Sequence, residues 1–181
     1  MNFCSHCGSK QLLWEIPKGD NRERYVCQDC GTIHYQNPKI VAGCIVTWEG
    51  KILLGKRDIE PRRGFWNIPA GFLELGETPR EGAIRETREE MLAQVELQRL
   101  HSVYSINHVG QVYMIFLATL KAANSFGSGQ ETTDVRLFAP NELPFEDLAF
   151  SSNHFAITRY LENPDFKGVH HGVFVTNDPK T

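Results

Sequence analysis

The sequence predicts an α/β domain, a mixed sheet covered by helices, preceded by a small metal-bound ribbon. Three observations carry this. Two Cys-x-x-Cys pairs, Cys4/Cys7 and Cys27/Cys30, are separated by a 19-residue spacer, and two tight turns of this kind complete a tetrahedral Zn²⁺ site. Runs rich in β-branched residues alternate with helical segments, but without a regular βαβ rhythm, which argues for a mixed sheet. The composition, 41% hydrophobic and 23% charged over 181 residues, suits one core of ordinary size with an appendage.

In chain order, residues 1–36 form the ribbon. Gly8 and Gly31 follow the second cysteine of each pair, where a turn around a metal often needs positive φ. Two disulfides or a redox dithiol compete with zinc. The start, Met1-Asn2-Phe3-Cys4, has no basic stretch leading into an apolar run, so no secretory signal is expected. No apolar stretch approaches the roughly 20 residues a membrane span needs. A cytoplasmic location follows as the expectation, which disfavours disulfides, and a redox motif explains only one pair.

Asn37-Pro38 reads as the boundary to a main domain over 37–165. Lys39–Thr47 is a mostly buried strand, Glu49-Gly50 a turn and Lys51–Lys56 its hairpin partner. Cys44 lies inside the first strand and reads as a core thiol. A loop with Arg57, Arg62 and Arg63 leads into a segment rich in Pro and Gly. Thr78-Pro79-Arg80-Glu81 then spells a helix start, with an N-cap Thr, Pro at the first helical position and Glu at the third. That helix should end near Leu92. Strands are expected at 94–105, 111–120 and 135–138, and a helix at 152–162. The tail, 166–181, reads as loosely held, with His170-His171 solvated.

The chemistry is concentrated on the first helix. On a helical projection Glu86, Glu89 and Glu90 lie within an arc of about 100°. Gly82 falls in the same arc and leaves it open to an approaching group, while Ile84 and Met91 point the other way, toward the core. Clustered carboxylates repel at a cost of a few tenths of a kcal/mol per i, i+4 pair. A solvated face laced by Glu81–Arg85 and Arg85–Glu89 pairs accounts for Arg85 but not for Glu86 and Glu90. A divalent cation would relieve the repulsion, and Mg²⁺ prefers carboxylates, water and phosphate oxygens.

The run Gly71-x5-Glu77-x7-Arg85-Glu86-x-x-Glu89-Glu90 resembles the Nudix box, a 23-residue motif ending here at Ala93. The flanks Gly55-Lys56-Arg57 and Phe65 to Gly71 also fit. With the ribbon, the Gly110-Gln111-Val112-Tyr113 strand and the segment Leu148 to Ser152, the chain is similar to zinc-ribbon Nudix hydrolases typified by a plant chloroplast FAD and ADP-ribose pyrophosphatase. Three positions depart from the pattern: Thr87 for an aliphatic residue, Leu92 for the terminal Gly and Ala93 for a larger aliphatic. Leu92 must either accept a left-handed conformation, at about 1–2 kcal/mol, or end the helix differently.

The resemblance implies a Nudix α/β/α sandwich acting as a nucleotide pyrophosphatase. It implies that Glu86, Glu89 and Glu90, with the Ala70 carbonyl, hold Mg²⁺ or Mn²⁺, while Glu77 and Arg85 orient loop and helix by a salt bridge. Glu131 is the candidate for base or extra ligand, against a plain surface glutamate. Arg57 is a candidate phosphate contact and Tyr113 a candidate pocket residue; an ordinary salt bridge and ordinary packing compete. Trp66 reads as core. The implied partner is a small nucleotide, FAD or ADP-ribose, cut to AMP plus FMN or ribose 5-phosphate. Relatives that act on ADP-ribose-like substrates are often dimers, so a homodimer is a further expectation.

Three other readings compete. In NADH pyrophosphatases a Ser-Gln-Pro-Trp-Pro-Phe-Pro-like array follows the box, where this chain has Leu100 to Asn107 (LHSVYSIN); they and RNA-cap hydrolases remain the alternative. A nucleic-acid adaptor built on the ribbon is opposed by its balanced charge, Lys10, Lys18, Arg22 and Arg24 against Glu15, Asp20, Glu23 and Asp29, and by a net charge of −3 overall. A domain that binds nucleotides without catalysis is opposed by the presence of every expected carboxylate.

Overall fold

A computed structural model describes residues 1–175; the part of the expected tail beyond them lies outside the described residues. The chain divides into two compact units at Asn37/Pro38. In the first, β1 (Leu12–Glu15), β2 (Arg24–Cys27) and β3 (Ile33–His34) form an antiparallel three-stranded sheet.

The second unit contains β4 (Lys39–Trp48), β5 (Lys51–Arg57), β6 (Trp66–Asn67), β7 (Ala70–Phe72), α1 (Pro79–Met91), β8 (Val95–Ile106), β9 (Gln111–Leu120), β10 (Thr132–Phe138), α2 (Ser151–Glu162) and β11 (His170–Val173). The sheet runs β10-β5-β4-β9-β8-β11, with β6 on β5 and β7 on β4. β4–β9 and β8–β11 are parallel and the other pairings antiparallel, so the sheet is mixed.

The strand period of two sorts side chains between two cores. Ala42, Cys44 and Val46 of β4, Leu53 of β5 and Phe116 and Ala118 of β9 pack with Ala83 and Met91 of α1. Ile45, Ile52, Leu54, Ile115 and Leu117 pack on the other side with Ala156 and Ile157 of α2. One helix therefore covers each face, the expected α/β/α sandwich. Cover on both faces explains why β4 reads as a nearly unbroken apolar run.

The helix start is as spelled in the sequence. Thr78 caps α1 in an extended conformation, Glu81 N–H donates to Thr78 Oγ1 at 3.3 Å, and Thr78 N–H donates to Glu81 Oε2 at 2.8 Å. At the far end Leu92 adopts φ 47°, ψ 21°, so this Leu takes the left-handed turn that the motif normally gives to Gly. Thr87, in place of an aliphatic, is fully buried, and its hydroxyl donates to Ala83 O at 2.7 Å, which satisfies it inside the core.

Three expectations need correction. Ile84 is not in the core but 41% exposed; Gly82, Ala83, Thr87 and Met91 form the buried stripe. Gly82 does not open the helix to a ligand: a Cβ there would come within 2.8 Å of Leu73 and 2.9 Å of Glu77, so the preceding loop fills the gap. Of the two pairs in the competing solvated-face reading, Arg85–Glu89 forms, while Glu81 is occupied by the cap and Arg85 turns to Glu77 and Glu86. The tail is not loose throughout, since residues 170–173 form the edge strand β11. His170 accordingly is partly buried, its ring 5.0 Å from that of fully buried His101 and 4.4 Å from that of Phe166. Tail residues have little apolar periodicity, so nothing local announces a strand whose pairing is supplied by β8.

Candidate active site

In the ribbon, the four cysteine sulfurs converge. Cys4 Sγ lies 3.7 Å from Cys30 Sγ and Cys7 Sγ 3.6 Å from Cys27 Sγ, and all four sulfurs lie within 4.8 Å of one another. A tetrahedron with Zn–S bonds of about 2.3 Å has edges near 3.8 Å. All four cysteines are free, and four thiols at these mutual distances suit a closed structural zinc site.

In the second unit, α1 presents Glu86, Glu89 and Glu90 to one cleft of about 1230 Å³, whose opposite wall includes Arg57, Ala70 and Glu131. The loop before α1 and the helix are locked by Arg85. Its Nε donates to Glu77 Oε2 at 3.0 Å and its Nη2 to Glu77 Oε1 at 2.8 Å and to Phe72 O at 3.0 Å. This fork holds the Glu77 carboxyl down at about 2. Arg85 Nη1 also reaches Glu86 Oε1 at 2.6 Å and Glu89 Oε2 at 3.0 Å.

Three arginines, Arg57, Arg85 and Arg88, line the cleft against six glutamates. Glu90 is partly buried, and burial together with the Glu86 charge pushes its carboxyl up to about 8, with Glu131 adding in the same direction. Burial also raises Glu86, against the pull of Arg85. Glu90 Oε2 accepts one bond, from Ala70 N–H at 3.2 Å. A cation bound among these groups would reverse the upward shifts. The backbone also makes room, because a Cβ at Gly71 would overlap the Glu86 carboxylate. Donor chemistry, unrelieved charge and this glycine cradle together fit a hard divalent ion.

Glu131 reaches the cleft through the helix end. Gly127 N–H donates to Met91 O at 2.8 Å and Gly129 N–H to Glu90 O at 2.9 Å, capping carbonyls that α1 leaves open. A Cβ at Gly129 would overlap the Glu89 backbone, so only glycine lets the loop pass this closely.

A second cavity, of about 550 Å³, shares Arg57, Ala70, Gly71 and Phe72 with the cleft. Tyr113 lines it, half-buried, its hydroxyl donating to Gln111 Oε1 at 3.0 Å. Arg57 lies at the junction, over the Phe150 ring at 5.1 Å, with Nε donating to Pro61 O at 3.0 Å. Trp66 is 8% exposed and belongs to the core, as does Cys44, whose thiol burial pushes up to about 12. The structure thus brings Arg85, Glu86, Glu89, Glu90, Ala70, Glu131 and Arg57 to one cleft, pairs Glu77 with Arg85 of that cleft, and places Tyr113 in the adjoining cavity.

Sequence reading missed Asn67, His108, Phe150, Asn153 and Phe174 as lining residues of that cavity. Asn67, set between Trp66 and Ile68, carried the one usable signal, an amide flanked by core residues.

No helix among the described residues is long and apolar enough to cross a membrane. Residues 2–36 match the family model described as Nudix N-terminal and residues 37–161 the one described as NUDIX domain. The crystal structure of a NUDIX hydrolase from Nitrosomonas europaea is similar, with TM-score 0.90 and 48% identity over 96% of this chain and 99% of that one. An NAD-capped RNA hydrolase NudC from Vibrio parahaemolyticus is 30% identical over 80% of this chain and 53% of its own length. An ADP-ribose pyrophosphatase from Methanocaldococcus jannaschii is 32% identical over 64% of this chain and 69% of its own. The chain spans about half the length of the NudC relatives it matches. With both units matched and the box carboxylates gathered on one cleft, the chain belongs to the Nudix hydrolase family, with the family's zinc-ribbon module at its N-terminus.

Proposed function

We propose that the protein hydrolyses the pyrophosphate bond of a nucleoside diphosphate derivative carrying an ADP half. The observation that carries this reading is the cleft in which Glu86, Glu89, Glu90 and Glu131 share too little positive charge, open to a cavity large enough for a nucleoside. Glu86, Glu89 and Glu90, with the Ala70 carbonyl, would hold Mg²⁺ or Mn²⁺. The bound ions supply charge neutralisation on the two phosphates and a lowered pKa for the attacking water.

The chain's own groups do the rest. Arg85 holds the Glu77 loop against α1, so the carboxylate face is set before substrate arrives. Glu131 takes the proton from water as its oxygen forms a bond to one phosphorus. The P–O bond to the bridging oxygen breaks, and two monophosphates leave. Arg57, at the junction of cleft and cavity, meets a phosphate oxygen. Tyr113 lines the nucleoside side.

ADP-ribose and FAD share the ADP half, and either would give AMP, with ribose 5-phosphate or FMN as the other product. The archaeal ADP-ribose pyrophosphatase supports the first; FAD rests on the sequence resemblance alone. NAD-type substrates, including NAD-capped RNA, form a second reading, favoured by the NudC relatives. A capped nucleic acid therefore belongs in the test despite the neutral ribbon. A panel of ADP-ribose, FAD, NADH and NAD-capped RNA, assayed at one Mg²⁺ concentration with products separated by chromatography, decides among them. The proposal expects AMP from ADP-ribose; failure to cleave any member of the panel would refute it.

A further inference from the structure

Arg85 and Arg57 both line the glutamate-rich cleft, and only Arg85 is neutralised there. Arg85 forms ion pairs with Glu77, Glu86 and Glu89, whereas Arg57 forms none among the described residues. Its charge is nevertheless felt at Glu90, whose carboxyl it pulls down against the larger upward push of burial and Glu86. A guanidinium in the field of repelled carboxylates is drawn onto them unless something holds it off.

The restraints on Arg57 are local. It ends β5, where its N–H donates to Phe65 O and its carbonyl accepts from Gly64 N–H, both at 2.9 Å. Its Nε–H donates to Pro61 O at 3.0 Å. The guanidinium lies over the Phe150 ring, with Cζ 5.1 Å from the centroid, a contact that suits the planar, weakly hydrated Arg head. Of its five N–H donors only Nε–H is used; those on Nη1 and Nη2 have no partner among the described residues.

The chain delivers Phe150 to this place through β6. Leu148 bridges Trp66, and Ala149 N–H donates to Trp66 O at 2.8 Å, so residues 148–150 run beside β6, itself paired with β5. Phe150 then takes the N-cap of α2 with φ −137° and ψ 149°. N-caps favour Ser, Thr, Asp or Asn, whose side chains bond an open N–H of the first turn. Phe150 makes no such bond. The helix start thus gives up a polar cap and presents a ring to Arg57 in its place.

We propose that Phe150 is a positioning residue, whose ring holds the Arg57 guanidinium off the cleft carboxylates as an unpaired fork for a phosphate of the nucleotide. The inference rests on the pyrophosphatase reading only in taking Arg57 to meet a phosphate. Without the ring, the fork is free to pair with Glu90 and is lost to the ligand.

The test is calorimetric titration of the full chain, at one saturating Mg²⁺ concentration, with α,β-methylene-ADP and with adenosine. The readout is the ratio of the two affinities, so packing that both ligands lose cancels. Phe150→Leu should lower the preference for α,β-methylene-ADP about tenfold, and Phe150→Tyr, which keeps the ring, should retain it. Arg57→Ala should lower it at least as much, and Phe150→Leu added to Arg57→Ala should lower it no further. Phe150→Met takes the place of Phe150→Leu should that variant fail to fold. An unchanged ratio in Phe150→Leu, a further fall in the double variant, or a parent that binds adenosine the tighter would overturn the proposal. Neither ligand has a P–O–P bridge, so the outcome is separable from catalysis. The expected ratios with no cleavage of any diphosphate would refute the pyrophosphatase reading alone, and cleavage with an unchanged ratio would refute this inference alone.

Discussion

Arg57, Ala70, Gly71 and Phe72 face two spaces of opposite character. On one side carboxylates crowd together, Glu90 is held near a pKa of about 8 by burial and its neighbour Glu86, and Arg85 is shared among three partners. On the other side no carboxylate lines the wall, and amides and a hydroxyl pair with one another, as in Asn67–Asn153 and Tyr113–Gln111. The cleft holds an electrostatic conflict that a retained proton or a further cation relieves, whereas the cavity is settled without one. Removing a charge from the cleft should therefore cost chemistry and not stability. Altering the cavity should cost affinity.

The largest expected effect sharpens that contrast. Glu89→Gln or Glu90→Gln should lower kcat by about 10²-fold or more, as expected for loss of a charged group acting on transition-state charge. The metal-free Glu90→Gln protein should melt no lower than the parent, because the change removes a partly buried, repelled carboxylate. A drop in Tm matching the loss of activity would show that Glu90 is a structural residue.

The ribbon offers a second contrast, since its metal would serve folding alone. Freshly purified protein should contain about one zinc per chain, measured by elemental analysis. Cys4→Ser should lose most of it while cleavage by the second unit stays within several-fold of the parent. Full zinc retention in that variant would contradict a site made of Cys4, Cys7, Cys27 and Cys30.

His101 gives a smaller effect, far from charge chemistry. Its Nε2–H donates to Ala156 O at 3.0 Å, and burial, with His170 and Arg99 nearby, holds its pKa down at about 4. The unfolded chain, with an ordinary histidine near 6.5, takes up a proton that the folded protein refuses. Stability is therefore full above about pH 6.5 and falls as pH drops toward 4, by up to about 1.4 kcal/mol per unit. In denaturant titrations at several pH values, His101→Phe should show a shallower slope over that window; an unchanged slope would put the titration elsewhere.

The smallest effect is at the helix end. Leu92→Gly should raise stability by about 0.5–1 kcal/mol, as release of the left-handed strain outweighs the entropy of an added glycine. A destabilised variant would show that the side chain of Leu92, 55% exposed, contributes more than its backbone costs.

What could be read in advance follows from how each region is encoded. The cleft comes mainly from one helix and the loop before it, so fixed spacings from Gly71 to Glu90 announce it. The capping box and the alternation in β4, β5 and β9 are local for the same reason. The cavity draws Asn67, His108 with Tyr113, Asn153 and Phe174 from four separate stretches, and no spacing joins them until the sheet forms. β11 was illegible because its partner, residues 102–105 of β8, lies far back along the chain. Ile84 misled because the core stripe of α1 is made of small residues, Gly82, Ala83 and Thr87, and not of its most apolar one.

The most direct test of the central claim is a Mg²⁺ titration of ADP-ribose cleavage, comparing the parent with Glu86→Gln, Glu89→Gln and Glu90→Gln and following AMP and ribose 5-phosphate by chromatography. The account predicts no turnover without divalent ion, saturable activation in the parent, and loss of about 10²-fold or more in the variants that added Mg²⁺ does not restore. Cleavage that proceeds equally well without divalent ion, or variants that match the parent at saturating Mg²⁺, would contradict it.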